Sequence, residues 1–400
     1  MKALRFERSL PRFAAARVAG AWAPGRGAAV GPLRLADVDP PRLPDASWQR
    51  VRPRLAGICG SDLATIDGVS SRWFEPVVSF PFVPGHEVVG DLDDGTRVVL
   101  EPVLGCGPRG ITPPCDACAG RDVGRCTNIT AGNLEPGLQT GYCCDTGGGW
   151  STALVAHESQ LHLVPDTLSD EAAVMVEPTA CAIRGALAAL PLAENGVVTV
   201  IGAGTLGLCT IAALTRWASP RELIVGAKHP HQRTFARDLG ATLVVTPDEL
   251  RRAVRRARGS LMVGEGAATR LAGGADVTLD CVGSEESLTE ALAITRPGGR
   301  IVMIGMPGTV TVDLTPLWQR GIELVGAYAY GTESMPDHGQ RRTFDLAFEL
   351  VAAAGLDRLV STTYPLDRYR DALAHAAEAG TLGAVKVAFD LRKEKERDWL

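Results

Sequence analysis

The sequence predicts an α/β protein in which a doubly wound parallel sheet is inserted into a second, mostly β domain. Three observations predict it. A glycine loop at 202–207 joins a β-branched run to an apolar helix-forming run. Strands and helices then alternate through residue 305, and short alternating segments broken by Pro and Gly precede the loop. At 400 residues the chain is too long for one compact core, which calls for two domains.

The loop reads Val197-Val-Thr-Val-Ile-Gly202-Ala-Gly204-Thr205-Leu206-Gly207. In a dinucleotide fold the first glycine makes the turn, the second admits the pyrophosphate, and the third lets helix pack on strand. The pattern has weight because a strand precedes it and a helix follows. Residues 197–215 carry no charge, but their glycines and threonines argue against a membrane span. A buried strand and helix without ligand is the plainer alternative.

Composition is that of a soluble protein, 46% hydrophobic and 22% charged, and a net charge of -5 gives no nucleic-acid footprint. Met1-Lys-Ala-Leu-Arg-Phe has neither an apolar core nor a cleavage site, so a cytoplasmic location with no membrane partner is expected. The first fifty residues are arginine-rich and acid-poor, faintly like a transit peptide. Their prolines and short alternating segments (Lys2 to Phe6, Leu33 to Val38) read better as folded strands without long helices. Ten cysteines occur, four of them bunched between 106 and 126, a pattern of thiols and metal ligands and not of disulfides.

Along the chain, Cys59 precedes a helix that Ser61 or Asp62 caps, and a helix N-terminus favours a thiolate. Pro84-Gly85-His86-Glu87 sets adjacent imidazole and carboxylate groups after a turn. With Cys59 they would make a mixed sulfur, nitrogen and oxygen set, the donor types of a catalytic zinc site; a small buried cysteine and a surface His-Glu pair are the plainer readings. Cys106, Cys115, Cys118 and Cys126 lie in a Gly/Pro-rich loop with almost no core, so a structural metal is the natural cohesion, a redox C-x-x-C pair the alternative. Glu177 is an acid among small apolar residues: either a buried carboxylate that needs a partner, such as a metal, or one in solvent. No role is assigned to Cys143-Cys144. Arg251 to Arg258 read as a solvated helix face, and Arg392 to Leu400 as a charged tail.

Taken together, Gly-Ile-Cys59-Gly-Ser61-Asp62, Pro-Gly-His86-Glu87, the four-cysteine lobe, Glu177-Pro178, the glycine loop and Arg296-Pro-Gly-Gly299 resemble the zinc-containing medium-chain dehydrogenase/reductase family. The resemblance covers nearly the whole chain and is nearest the polyol, threonine and glucose dehydrogenase branch, which has Glu-Pro where other alcohol dehydrogenases place a third zinc cysteine. It implies a GroES-like catalytic domain at 1–177 and 326–400, and a Rossmann domain at 178–325. It implies a catalytic zinc on Cys59 and His86 with Glu87 or Glu177, and a structural zinc on Cys106, Cys115, Cys118 and Cys126. Ser61 would relay the alcohol proton, and Val282, Gly283, Ile304, Gly305 and Met306 would line ribose and nicotinamide. The resemblance also implies a homodimer or homotetramer acting on a small-molecule alcohol or carbonyl.

Three departures stand out. The Cys106–Cys115 spacer is long, Ala64 replaces a relay histidine, and the second dinucleotide strand ends in Lys228, His229 and Arg233 without the acid that binds a ribose 2′-hydroxyl. The last predicts NADP over NAD. The expected reaction is zinc-dependent hydride transfer between an alcohol and NAD(P). The rivals are a zinc-independent quinone or enoyl reductase of the same fold and a non-catalytic NADPH-binding protein. Trp73, Phe74 and Trp150 are the expected substrate-pocket aromatics.

Overall fold

A computed structural model describes residues 1–193, 195–264, 269–335 and 339–394. It divides into two compact units, Met1–Glu177 with Val351–Leu400, and Pro178–Leu350. The expected tail lies, from 395 on, outside the described residues.

The second unit is built on six parallel strands in the order Leu243–Val245, Glu222–Gly226, Val197–Ile201, Ala275–Asp280, Thr295–Met303, Glu323–Gly326. All five residues of Val197–Ile201 and all six of Ala275–Asp280 are buried, as central strands of a doubly covered sheet must be. Strand order reverses between these two, so their C-terminal ends form the switch point at which such sheets bind ligands. Helix Leu250–Arg258 buries Leu250, Ala253 and Val254, while Arg251 pairs with Glu290 and Arg258 with Asp276.

The sequence reading returns the chain to the first domain at 326, whereas residues 326–350 group with the second unit. Arg184–Glu333 and Arg216–Glu349 ion pairs at 3.0 and 2.8 Å hold them there. Such distant pairings leave no local periodicity to read.

In the first unit, Trp48–Gly57 pairs antiparallel with Val88–Asp91, with Lys386–Asp390 and, at its start, with Leu154–His157. Arg97–Leu100 and Leu161–Leu163 extend the sheet at one side and Val360–Tyr364 at the other. Trp150 is fully buried in the core with Phe6, Phe82, Leu366 and Phe389, and its Nε1 donates to Gly57 O at 3.1 Å. It is therefore a core residue and not a pocket aromatic: the indole finds its one acceptor inside the sheet. Trp73, by contrast, is 84% exposed on the short helix Arg72–Val77.

The amino-terminal strands Lys2–Phe6 and Leu33–Asp37 form as expected and pair antiparallel. Between them the expectation of strands alone fails, because Leu10–Trp22 is a helix. Its proline misleads: Pro11 sits in the first turn, where proline costs no hydrogen bond, and the run that follows is alanine-rich. Among the described residues no helix is long and apolar enough to cross a membrane.

Candidate active site and metal centres

Strand Trp48–Gly57 delivers the chain to Cys59, which is itself the N-cap of helix Gly60–Ile66. This corrects the assignment of the cap to Ser61 or Asp62. Asp62 lies one turn in and accepts the Cys59 N–H at 3.0 Å through Oδ2, fixing the cysteine backbone. Its other oxygen, Oδ1, lies 3.4 Å from His86 Nδ1 and accepts the Tyr142 hydroxyl at 3.2 Å.

His86 is buried and hydrogen-bonded to the Cys59 thiol, with its Nδ1 turned to the Asp62 carboxylate. Burial disfavours the imidazolium, yet the Asp62 carboxylate outweighs it and raises His86 well above the ordinary histidine range. A carboxylate behind an imidazole is the arrangement that orients a metal-bound histidine.

Glu87 points elsewhere. Both of its oxygens meet Lys386 Nζ, at 2.7 and 2.6 Å, in a pair that is almost wholly buried, and Nζ also donates to Ile58 O at 3.3 Å. Burial alone would depress Lys386; the charge of Glu87, followed by those of Cys59 and Glu177, raises it instead. Glu177 is buried in the first turn of helix Val176–Leu187. Lys386 is thus the common electrostatic neighbour of Glu87, Cys59 and Glu177. Sequence reasoning gave Lys386 and Tyr142 no role and used Asp62 only as a cap. A lysine inside the apolar strand Lys386–Asp390 is a readable signal, since a buried ammonium requires a partner.

The second group is the lobe of Cys106, Cys115, Cys118 and Cys126, whose sulfurs all lie within 4.8 Å of one another. Among the described residues it is the one group of His, Cys, Asp and Glu so gathered. Backbone N–H groups of Cys106, Cys115 and Asn128 point at these sulfurs at 3.4 Å, and Asn128 Nδ2 at 3.3 Å. Hydrogen bonds from the Cys118 and Thr127 backbone lower Cys115 to about 6, whereas burial pushes Cys118 and Cys126 up. Four thiols so placed fit a tetrahedral zinc, which supplies the positive charge that their joint ionisation needs.

The long spacer has a structural account. It carries Arg109, fully buried, whose guanidinium donates to the carbonyls of Leu104, Ala131, Leu134 and Gly137 at 3.0, 2.9, 3.1 and 2.7 Å. Cys143, pushed up to about 11 by burial, and its neighbour Cys144 stand outside the cluster.

In the second unit the glycine loop is cut to fit a dinucleotide. Gly202 has φ +91°, and a Cβ there would meet Val282 at 2.5 Å. A Cβ on Gly207 would lie 2.0 Å from Gly202 O, so only glycine lets the helix approach the strand. Gly204 caps helix Thr205–Trp217 and faces open space, with Thr205 and Leu206 half-buried behind it. Asp280 accepts the N–H groups of Val282 and Gly283 at 2.9 and 3.0 Å and the Ser287 hydroxyl at 2.9 Å. Gly283 and Gly305 pack backbone to backbone, which fixes Ile304-Gly305-Met306 beside Val282. At the end of the second strand Lys228 is exposed and Arg233 Nη1 donates to Lys228 O at 2.8 Å. Burial, His231, Lys228 and Arg233 together push His229 down, the mark of a local positive field.

A doubly wound nucleotide unit joined to a β unit with a thiol, an imidazole and carboxylates defines a nicotinamide-dependent, metal-assisted oxidoreductase. Residues 45–166 match the family model for the alcohol dehydrogenase GroES-like domain, and 205–342 that for zinc-binding dehydrogenase. The chain is 28% identical over 363 residues to sorbitol dehydrogenase of Arabidopsis thaliana, spanning 86% of this chain and 88% of the relative. It is 26% identical over 359 residues to L-idonate 5-dehydrogenase of Vitis vinifera, spanning 86% and 87%. An alcohol dehydrogenase from Thermus superposes with a TM-score of 0.69 at 23% identity, over 98% of this chain and all of that one. The chain belongs to the zinc-type medium-chain alcohol dehydrogenases, and its activity is NAD(P)-dependent alcohol oxidation.

Proposed function

We propose that the chain interconverts a polyol-like alcohol, in the class of polyols, sugars, cyclitols and amino alcohols, with its carbonyl compound, and does so with NADP(H) in preference to NAD(H). The observation that carries the reading is the donor set of half-buried Cys59 with buried His86 and Glu177, backed by Asp62 and Lys386. Cys59, His86 and a carboxylate would hold the catalytic zinc; Glu177 fits as the third ligand because Lys386 occupies both oxygens of Glu87. Zinc, when bound, is a Lewis acid toward the substrate oxygen, and the nicotinamide ring takes up or returns the hydride.

The chain's own residues hold the geometry and move the proton. Asp62 fixes Cys59 through its N–H and His86 through Nδ1. Ser61 Oγ receives the alcohol proton and hydrogen-bonds Tyr142. From Tyr142 a hydroxyl path continues to Thr65 Oγ1 at 3.4 Å and to half-buried Ser70 Oγ at 3.0 Å. That path offers an outlet where Ala64 provides none. The polyol class is favoured by the sorbitol and idonate relatives.

The NADP preference rests on Lys228, His229 and Arg233, which would attract a 2′-phosphate where an acid would repel it. Steady-state kinetics on a polyol panel with both cofactors tests it. The expected result is a higher kcat/KM with NADP, and a Lys228→Asp variant that moves the ratio toward NAD by about tenfold to a hundredfold. A wild type that prefers NAD would overturn the preference and leave the alcohol chemistry standing.

A further inference from the structure

The arginine-rich, acid-poor amino terminus finds no place in the dehydrogenase chemistry. Residues 8–36 contain Arg8, Arg12, Arg17, Arg26 and Arg34 and no Asp or Glu, in a chain whose balance is otherwise acidic. The segment leaves the hairpin formed by Lys2–Phe6 and Leu33–Asp37, and it lies outside both stretches that match the family models, 45–166 and 205–342.

One side of helix Leu10–Trp22 is fixed to the protein. Ala16 is fully buried, Gly20 packs on Asp67, and Gly68 on Phe13. The Gly25 and Gly27 N–H groups donate to the Asp67 carboxylate at 2.7 and 2.9 Å and anchor the return. The opposite side is a ridge at i, i+4 spacing, Leu10, Ala14, Val18 and Trp22. Leu10 is 78%, Val18 63% and Trp22 87% exposed. Exposed Arg8 and Arg26 flank the two ends of the helix, and exposed Arg17 lies on its surface.

An apolar ridge accompanied by guanidinium groups, with Glu7 the one carboxylate in residues 1–36, asks for a surface that is both apolar and anionic. A second copy of this chain would set the same arginines against themselves. The ridge is also the convex face of a helix, which a bilayer accepts without any complementary groove. We propose that helix Leu10–Trp22 seats the enzyme on an anionic lipid surface. It lies in the membrane plane, with Leu10, Val18 and Trp22 at the boundary of headgroups and acyl chains and the arginines on lipid phosphates. At 13 residues it spans about 20 Å, too short to cross a hydrocarbon core of about 30 Å. The expectation of no membrane partner, drawn from the absence of a spanning segment, does not reach this kind of attachment.

The test is flotation of the full chain with phosphatidylcholine vesicles, with and without phosphatidylglycerol, beside sedimentation velocity without lipid. Wild type should float with phosphatidylglycerol vesicles, and less so in high salt. The Leu10→Ser, Val18→Ser, Trp22→Ser triple variant should lose flotation. The Arg8→Gln, Arg17→Gln, Arg26→Gln triple should partition about a hundredfold more weakly. Unchanged circular dichroism and zinc content would show that both variants fold. Wild type that stays with the aqueous phase, or an apolar-to-serine variant that floats like wild type, overturns the proposal. If wild type fails to float and the serine variant splits a larger assembly, the ridge belongs to a second copy. If wild type fails to float and its mass is unchanged by the substitutions, the lipid assignment falls as well.

Discussion

The two groups of side chains proposed to hold zinc are built in opposite ways. In the lobe, four sulfurs converge on one another within 4.8 Å, and what surrounds them is loop: N–H groups, the Asn128 amide and the Arg109 clamp. Around Cys59 and His86 the ligating groups are each tied to something else. Asp62 stands behind His86, Lys386 holds Glu87, and a helix N-terminus carries Cys59. The difference suits the two tasks proposed for them. A metal that holds a loop together needs ligands that would otherwise repel, so that binding and folding are one event. A metal that does chemistry needs ligands fixed by the protein, so that a coordination position stays open to substrate.

Removing one ligand from each group breaks the comparison most directly. Cys59→Ala should remove one zinc per chain and cut turnover on the order of a thousandfold or more, a loss of about 4 kcal/mol of transition-state stabilisation, with dinucleotide binding retained. Cys115→Ala should remove the other zinc and lower the thermal midpoint by about 10 °C. Zinc analysis, kinetics and thermal melts on the three proteins would decide it. Two variants with the same melting loss and the same activity loss would mean that the division into a catalytic and a structural site is wrong.

The Glu87–Lys386 pair sharpens the contrast, since nothing like it supports the lobe. Removing one partner of a buried ion pair strands the other charge, so Lys386→Met should cost about 3–5 kcal/mol of stability. The double variant Glu87→Gln, Lys386→Met should recover much of that in urea unfolding, because it removes both desolvated charges. A single variant as stable as wild type would show that water reaches the pair.

Much of this was readable from the chain. Central strands such as Val197–Ile201 are apolar on both faces, the glycine loop encodes its own backbone conformation, and four clustered cysteines in a coreless loop announce a metal. What escaped reading depends on distance in sequence. Lys386 and Glu87 are 299 positions apart, and Tyr142 meets Asp62 across 80, so no window contains either contact. Helix Leu10–Trp22 escaped for another reason. Its outward ridge is as apolar as its docked face, which removes the amphipathic period that marks a surface helix, and its one proline and one glycine imitate turns.

The finest distinction between the two groups lies in Asp62. Asn at this position keeps a carbonyl oxygen for the Cys59 N–H, so the helix cap should survive within a few tenths of a kcal/mol. The change acts on the other end of the side chain. The Oδ1 that faces His86 Nδ1 and accepts from Tyr142 would become an amide N–H₂, a donor set against a donor. The imidazole then loses the acceptor that sets its orientation and basicity. Asp62→Asn should therefore weaken zinc at the Cys59–His86 site by about tenfold to a hundredfold, while the four-cysteine lobe, which has no such carboxylate behind its ligands, holds its zinc unchanged. Competition with a graded series of chelators reads both affinities in one protein. If both zincs weaken together, Asp62 acts through the stability of the whole unit. If neither moves, His86 is oriented by packing alone, and the two groups differ less than their surroundings suggest.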